Sequence, residues 1–307
     1  MLFLLETVVS GLLAGVMYSL VALGFVLIFK ASGIFNFAQG VFALFAGLAL
    51  YDFIADDGWF YHMFGFVLPV WAGIIATMGV MIIVAWLVEF LVLRHLVNQE
   101  PIILFMSTIG LAYFLEGLGD TLFGSDVKPL DIGLPHGAVD FLLDDYNFYV
   151  EKLEIVAAVV AAVLVVVLAV FFQKTRIGRA LRAVADDHQA ALSVGISLRT
   201  IWVIVWSVSG FVALVAGIMW GSKSGIQFSL SLIALKALPV LILGGFTSVP
   251  GAIIGGLIIG VGEKVAEVYA GPFVGSAIEN WFAYMLALAF LLFRPQGLFG
   301  EKIIERV

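Results

Sequence analysis

Long stretches of this chain run apolar without interruption, and their lengths set the expected architecture. From about Val8 to Phe29 no charged residue occurs, which as helix is enough to cross a hydrocarbon core needing ~20 residues. Further apolar segments occupy about 34–51, 66–93, 101–123, 153–172, 200–220, 228–247, 251–269 and 277–293, nine with the first. The pattern predicts an all-α polytopic membrane protein with about 8–9 transmembrane helices. The segments at 34–51, 228–247 and 251–269 are short or glycine-bearing, so broken or re-entrant passages are expected there. The first span is expected to be retained, because only Glu6 precedes the apolar run where a cleavable signal would have a basic start.

Composition agrees with the pattern and excludes several function classes. Hydrophobic residues make up 63% and charged residues 12%, against ~25% charged in soluble domains, and the mean hydropathy is +1.15. No Ser/Pro-rich linker divides the chain, so residues 1–307 are expected to form a single transmembrane domain with no soluble catalytic domain. The lack of cysteine removes disulfides, thiol catalysis and Cys-based metal sites. No G-x-x-x-x-G-K-[ST] or H-E-x-x-H motif is present, and His62, His95, His136 and His188 are too scattered for a ligand set. The expectation is no enzyme activity, no cofactor, no metal and no nucleic-acid partner.

The net charge of -7 matters less than where the charges lie, since Lys/Arg bias sets orientation. Residues 173–199 hold Lys174, Arg176, Arg179, Arg182 and Arg199 against Asp186 and Asp187, which assigns this loop to the cytoplasm. The polar stretch 120–154 carries Asp120, Asp126, Asp131, Asp140, Asp144, Asp145, Glu151 and Glu154 against Lys128 and Lys152. Its loop, about 120–152, therefore goes outside. Continuing from these anchors puts Asp52, Asp56 and Asp57 outside, Arg94 and His95 inside, the N-terminus outside and the tail from Arg294 inside. That parity needs an odd number of crossings.

Within the basic loop, Ile177, Leu181, Val184 and Ala185 fall on one helical face, with Arg176, Arg179 and Arg182 every third residue beside it. Such a helix fits either a docking element for a cytoplasmic partner or a surface lying against anionic lipid. Near the N-terminus, Asn36 and Gln39 interrupt apolar sequence between Gly33 and Gly40. Three apart, they are expected to share a helix face, either contacting a polar substrate or tying helices together. A second interruption, Leu243 to Gly256, is glycine-rich and contains Pro250. It fits either a repeat of the first or close helix packing through Gly251, Gly255 and Gly256. Glu116, Lys236, Glu263, Lys264 and Glu279 are ionisable in apolar surroundings. Glu263, Lys264 and Glu267 are expected to reach water at a span end, while Glu116 and Lys236 lie deeper.

These residues together resemble the membrane permeases of branched-chain amino acid (Liv-type) ABC transporters. The resemblance runs over nearly the whole chain and rests on Gly11–Gly24, on Asn36-Phe37-Ala38-Gln39-Gly40 and on Gly178-Arg179-Ala180-Leu181-Arg182-Ala183-Val184-Ala185. It continues through Leu243-Gly244-Gly245 with Pro250-Gly251-Ala252 and ends on Arg294-Pro295-Gln296-Gly297-Leu298-Phe299-Gly300. It implies a subunit of an importer in the bacterial inner membrane. A periplasmic solute-binding protein delivers substrate, a second related permease pairs with this chain, and two cytoplasmic ATPases use ATP and Mg to drive alternating access. The resemblance assigns the segment 175–187 to ATPase contact, through Arg176, Gly178, Arg179, Leu181 and Arg182 as a coupling helix. Asn36, Gln39, Ser107, Thr108 and Thr247 are then expected to line the substrate path. The family carries branched-chain amino acids, small amides and organic acids. Gln39 stands where many relatives have histidine and Lys30 where many have glycine, which leaves the substrate among these classes open. An ion-coupled secondary transporter or channel, working without ATPases, is the competing expectation, and a structural membrane subunit with no path of its own is a third.

Overall fold

A computed structural model of the chain describes residues 2–96, 99–146, 148–186, 188–274 and 277–300. Along the chain the helices are α1 (Leu2–Ser32), α2 (Gln39–Ile54), α3 (Trp59–Phe64), α4 (Val70–Leu91), α5 (Pro101–Phe123), α6 (Asp140–Tyr146) and α7 (Lys152–Lys174). They continue with α8 (Arg176–Asp186), α9 (His188–Ser193), α10 (Leu198–Ser224), α11 (Ile233–Gly244), α12 (Val249–Tyr269), α13 (Gly271–Val274) and α14 (Glu279–Phe293). Short 3-10 segments occupy Leu93–His95 and Phe228–Leu232, and the bridges Lys128–Ile226 and Ala138–Glu151 are isolated.

Among the described residues seven helical stretches are long and apolar enough to cross a membrane: Phe3–Ser32, Gln39–Phe64, Val70–His95, Pro101–Phe123, Lys152–Lys174, Leu198–Ser224 and Val249–Tyr269. Two shorter apolar stretches, Phe228–Gly244 and Trp281–Phe293, complete the set. The protein is a polytopic membrane protein. All nine apolar segments of the sequence are largely helical, with one difference from expectation. The stretch 251–269 is an unbroken part of the 21-residue α12. The stretch 228–247 is interrupted as expected, by the 3-10 turn before α11 and by Pro239 within it.

The helices sort into two compact units. One comprises the described parts of Met1–Val26, Gly133–Val163 and Leu235–Val307. Here the first part of α1 runs antiparallel to α12 on a seam of small residues. A Cβ at Gly11 would lie 2.7 Å from Val261 Cα, and one at Gly15 would meet the Gly256 carbonyl. Ser19 Oγ donates to Gly15 O at 2.8 Å and to Ala252 O at 3.2 Å. Backbones approach this closely only without side chains, the small-residue packing common in membranes. α11 and α12 meet the same way, with Gly244 against Gly251 and Gly255 against the Val240 carbonyl.

The other unit comprises Leu27–Ile132 and Leu164–Ala234. At its centre is α2, apolar all round and buried from Gln39 to Asp52, as such a helix must be when it is enclosed by others. Around it pack α4, α5, α10 and the 3-10 turn at Phe228–Leu232. Phe42 meets Trp206 edge to face with ring centroids 5.7 Å apart, and Phe45 meets Phe123 at the same separation. The outer helices are inside-out relative to a soluble protein. On α4, Trp71, Ile75, Met78, Ile82 and Trp86 point outward at helical spacing, while Gly73, Thr77, Met81, Ala85 and Val88 face inward. A bilayer is the solvent that accepts such a face.

Candidate functional site

The break between α1 and α2 begins where Gly33, at φ +68°, ends α1 and its N–H donates to Phe29 O at 2.8 Å. α2 starts only at Gln39, so Asn36 lies in the connecting turn and does not share a helix face with Gln39. The turn nonetheless joins the two amides. Asn36 Oδ1 accepts from Ala38 N at 3.1 Å and Asn36 Nδ2 donates to Gln39 Oε1 at 3.4 Å. Ser209 Oγ, from α10, donates to the same Gln39 oxygen at 2.8 Å, and Gln39 Nε2 donates to Ser209 O at 3.5 Å. From α5, Thr108 Oγ1 lies 3.0 Å from Phe37 N, which donates to it, and 3.1 Å from Phe35 O. Asn36, Gln39 and Ser209 are wholly buried and Thr108 nearly so. The network supplies partners for backbone groups that a broken helix leaves open. Ser107, the next residue on α5, turns aside, half-buried, with its hydroxyl donating to Leu104 O at 2.6 Å.

In the same unit, α8 follows α7 after one residue. Thr175 makes the corner: its hydroxyl donates to Phe171 O at 2.6 Å and accepts from Gly178 N at 2.9 Å, an N-terminal cap. A Cβ at Gly178 would meet the carbonyls of Phe171 and Phe172, so glycine is what lets α8 fold back. The buried face of α8 is Gly178, Leu181 and Val184. Ile177 and Ala185, expected on that face, are exposed, because the tight corner rotates the glycine inward. Leu181 sits beside Lys30, Ala31 and Phe172 around a gap of only about 10 Å³. Arg176, Arg179 and Arg182 are all exposed. Asp187 lies outside the described residues.

Thr247 belongs to the other unit, half-buried in the turn between α11 and α12. That turn is closed by the stretch that follows α14. Leu298 N donates to Leu243 O at 2.8 Å and Phe299 N to Gly244 O at 3.1 Å. Gly245 at φ +101° and Gly297 at φ +77° lie back to back, so two motifs far apart in sequence form one structure.

This unit also gathers ionisable residues. Lys236 Nζ lies 2.9 Å from Glu263 Oε1 and 3.2 Å from Glu279 Oε1, and Lys264 Nζ lies 2.9 Å from Glu279 Oε2. The Tyr18 hydroxyl donates to Glu263 Oε1 at 3.3 Å. Glu267 accepts from the backbone N–H of Ala277 at 3.2 Å and of Glu279 at 3.0 Å, placing its charge at the N-terminus of α14. Glu263 is therefore a buried, paired carboxylate with 2% of its side chain exposed, not one reaching water as expected. Glu116 lies in the other unit, where its carboxylate accepts from Ser231 at 3.5 Å.

Residues 7–294 match the family described as Branched-chain amino acid transport system / permease component. The chain belongs to this permease family. The high-affinity branched-chain amino acid transport system permease protein LivH of Escherichia coli (strain K12) is 27% identical over 319 residues, covering 100% of this chain and 98% of the relative. BraD of Pseudomonas aeruginosa, described in the same words, is 28% identical over 311 residues, covering 99% and 98%. A probable branched-chain amino acid transport permease protein LivH of Methanocaldococcus jannaschii is 26% identical over 286 residues, covering 92% and 88%.

In this permease the sequence singled out Asn36, Gln39 and Thr108 and missed Ser209, the residue that ties Gln39 to α10. The signal for Ser209 was a hydroxyl beside Gly210 in an otherwise apolar span, which is easily passed over. Tyr18 was missed for a like reason: among apolar residues its hydroxyl marks a polar partner, here Glu263.

Proposed function

We propose that this permease is the membrane subunit of an ATP-driven importer of branched-chain or related aliphatic amino acids. It works as one permease body beside a second related permease, with two cytoplasmic ATPases and a periplasmic solute-binding protein. ATP hydrolysis belongs to the ATPases, and this chain converts their closure into reorientation of its spans. The N-terminus lies outside and the C-terminus in the cytoplasm, with the two shorter apolar helices completing the passage of the chain through the bilayer.

The observation that carries this reading is the form of α8. Its inner face is seated by Gly178, Leu181 and Val184, while Arg176, Arg179 and Arg182 stand exposed beside Ile177 and Ala185. An outer surface that mixes guanidinium groups with apolar side chains fits the cleft of a protein partner, where arginine is enriched. The stiff corner at Thr175 and Gly178 would pass a push on α8 directly into α7. Asn36, Gln39, Ser107, Thr108 and Thr247 are assigned to the path taken by the substrate. The amide network at the α1–α2 break would open as the spans reorient, since its groups are mutually bonded here.

The test is purification of the tagged chain from its native membrane in mild detergent, with mass spectrometry of what accompanies it. Recovery of a second permease and two ATPases, with ATP-dependent leucine uptake after reconstitution, is the expected result. A chain that purifies alone and transports in liposomes without ATP overturns the reading in favour of secondary transport.

A further inference from the structure

The ion cluster joins α11, α12 and α14, with Glu263 and Lys264 inside α12 and Glu279 the first residue of α14. Glu263 sits ~21 Å along α12 from Val249 and ~9 Å short of Tyr269, and Tyr18 lies ~24 Å from the start of α1. A charge turned to hydrocarbon is costly, so charged groups that stay partly open on a span face water or protein. Lys236, Lys264 and Glu279 keep 28%, 33% and 29% of their side-chain surface, whereas Glu263 keeps 2%. The cluster thus has a buried inner pair and an open rim.

The rim has bonding capacity to spare. An ammonium carries three donors, and the contact described for Lys264 is with Glu279 Oε2 alone; each Glu279 oxygen retains a lone-pair site beyond its lysine. Glu267 is engaged with the backbone N–H groups of Ala277 and Glu279. The four groups that pair with one another, Lys236 and Lys264 against Glu263 and Glu279, balance, and Glu267 adds one negative charge at the start of α14. Adjacent opposite charges match a molecule that carries both.

We propose that Lys264 and Glu279 form a binding point for the charged ends of a zwitterionic α-amino acid. The substrate carboxylate meets Lys264 and its ammonium meets Glu279. Lys236, held by Glu263 and Tyr18, is the positioning residue that fixes Glu279 from behind. The contacts touch only the groups shared by all α-amino acids, so this point admits the class and leaves the side chain to be chosen elsewhere. The inference rests on the import reading above and names the chemistry that import would use.

The experiment uses the complete transporter in proteoliposomes, with leucine delivered by its binding protein. ATP-dependent uptake by the wild type isolates the import reading; its absence sinks that reading and this inference with it. Lys264→Gln and Glu279→Gln are expected to lower uptake by about tenfold or more while binding-protein-stimulated ATP hydrolysis persists, and Lys264→Arg to retain most uptake. Uptake within about twofold of wild type in either neutral variant overturns the proposal. The exchange Lys264→Glu with Glu279→Lys keeps an ion pair but swaps its ends. Full uptake there would mean that the pair merely joins α12 to α14 and also overturns it. Because the chain has no cysteine, Lys264→Cys supplies an independent reading. A charged, membrane-impermeant thiol reagent is expected to modify it, more slowly when leucine is being delivered, and no modification in any nucleotide state overturns the proposal.

Discussion

Ser209 and Gln39, 170 residues apart, share a hydrogen bond of 2.8 Å at zero exposure. The bond joins α10 to the first residue of α2, the helix on which its unit is built. A buried amide that loses its partner suffers the full cost of desolvation, ~1–3 kcal/mol. Ser209→Ala is expected to lower the melting temperature of the detergent-solubilised complex, and Gln39→Leu with Ser209→Ala to recover part of the loss. Equal melting of the single variant and wild type would show that the bond contributes nothing.

The seam between α1 and α12 makes a graded steric prediction. A Cβ at Gly256 would collide with Ser19 and the Gly15 carbonyl, whereas one at Gly79 or Gly110 meets nothing within 4 Å. Gly256→Ala is expected to destabilise by ~1–3 kcal/mol through overpacking. Gly79→Ala should be neutral or better, as alanine gains up to ~1 kcal/mol of helix propensity. Folded yield by fluorescence-detected gel filtration separates these outcomes.

For α8, charge and packing can be tested apart. Arg179→Glu changes an exposed residue and should leave insertion and yield intact while uptake falls by at least about tenfold, the signature of a lost charge contact with a partner. Gly178→Trp strikes the carbonyls of Phe171 and Phe172, so it should displace α8 and lower both uptake and folded yield. Wild-type uptake in Arg179→Glu would remove the docking role.

The closure of the α11–α12 turn by the stretch after α14 distinguishes two glycines of similar φ. Gly297, at +77°, would put a Cβ 2.7 Å from Gly245 N, while Gly133, at +80°, meets nothing within 4 Å. Gly133→Ala should carry only the backbone penalty, ~1–2 kcal/mol. Gly297→Ala should lose more, seen as faster cleavage by limited proteolysis near residues 243–250.

Much of this molecule was legible because membrane spans are long and their composition is extreme. All nine apolar segments proved largely helical, and of the two readings open for the glycines around Gly251 and Gly255, close helix packing is the one their contacts match. Other features were not. The place of Asn36 off the helix depends on Gly33, and an apolar run hides a turn made by one left-handed residue. The inward face of α8 was misassigned by hydrophobicity, which favours Ile177, whereas the corner selects Gly178 for its lack of volume. The partners of Lys236 lie 27 and 43 residues away across turns, and no periodicity reports such a pairing.

The α1–α12 seam imposes an order of events on biosynthesis. Gly11, Gly15 and Ser19 are made well before α12, the helix that covers them, which ends at Tyr269. At ~5–20 residues per second the ribosome takes on the order of tens of seconds to supply it. During that interval α1 stands in the bilayer with its narrow glycine face bare, a surface to which any small-residue helix could bind. The bonds of Leu298 and Phe299 to the α11–α12 turn come later still, so this unit gains its seam before it gains the closure of that turn.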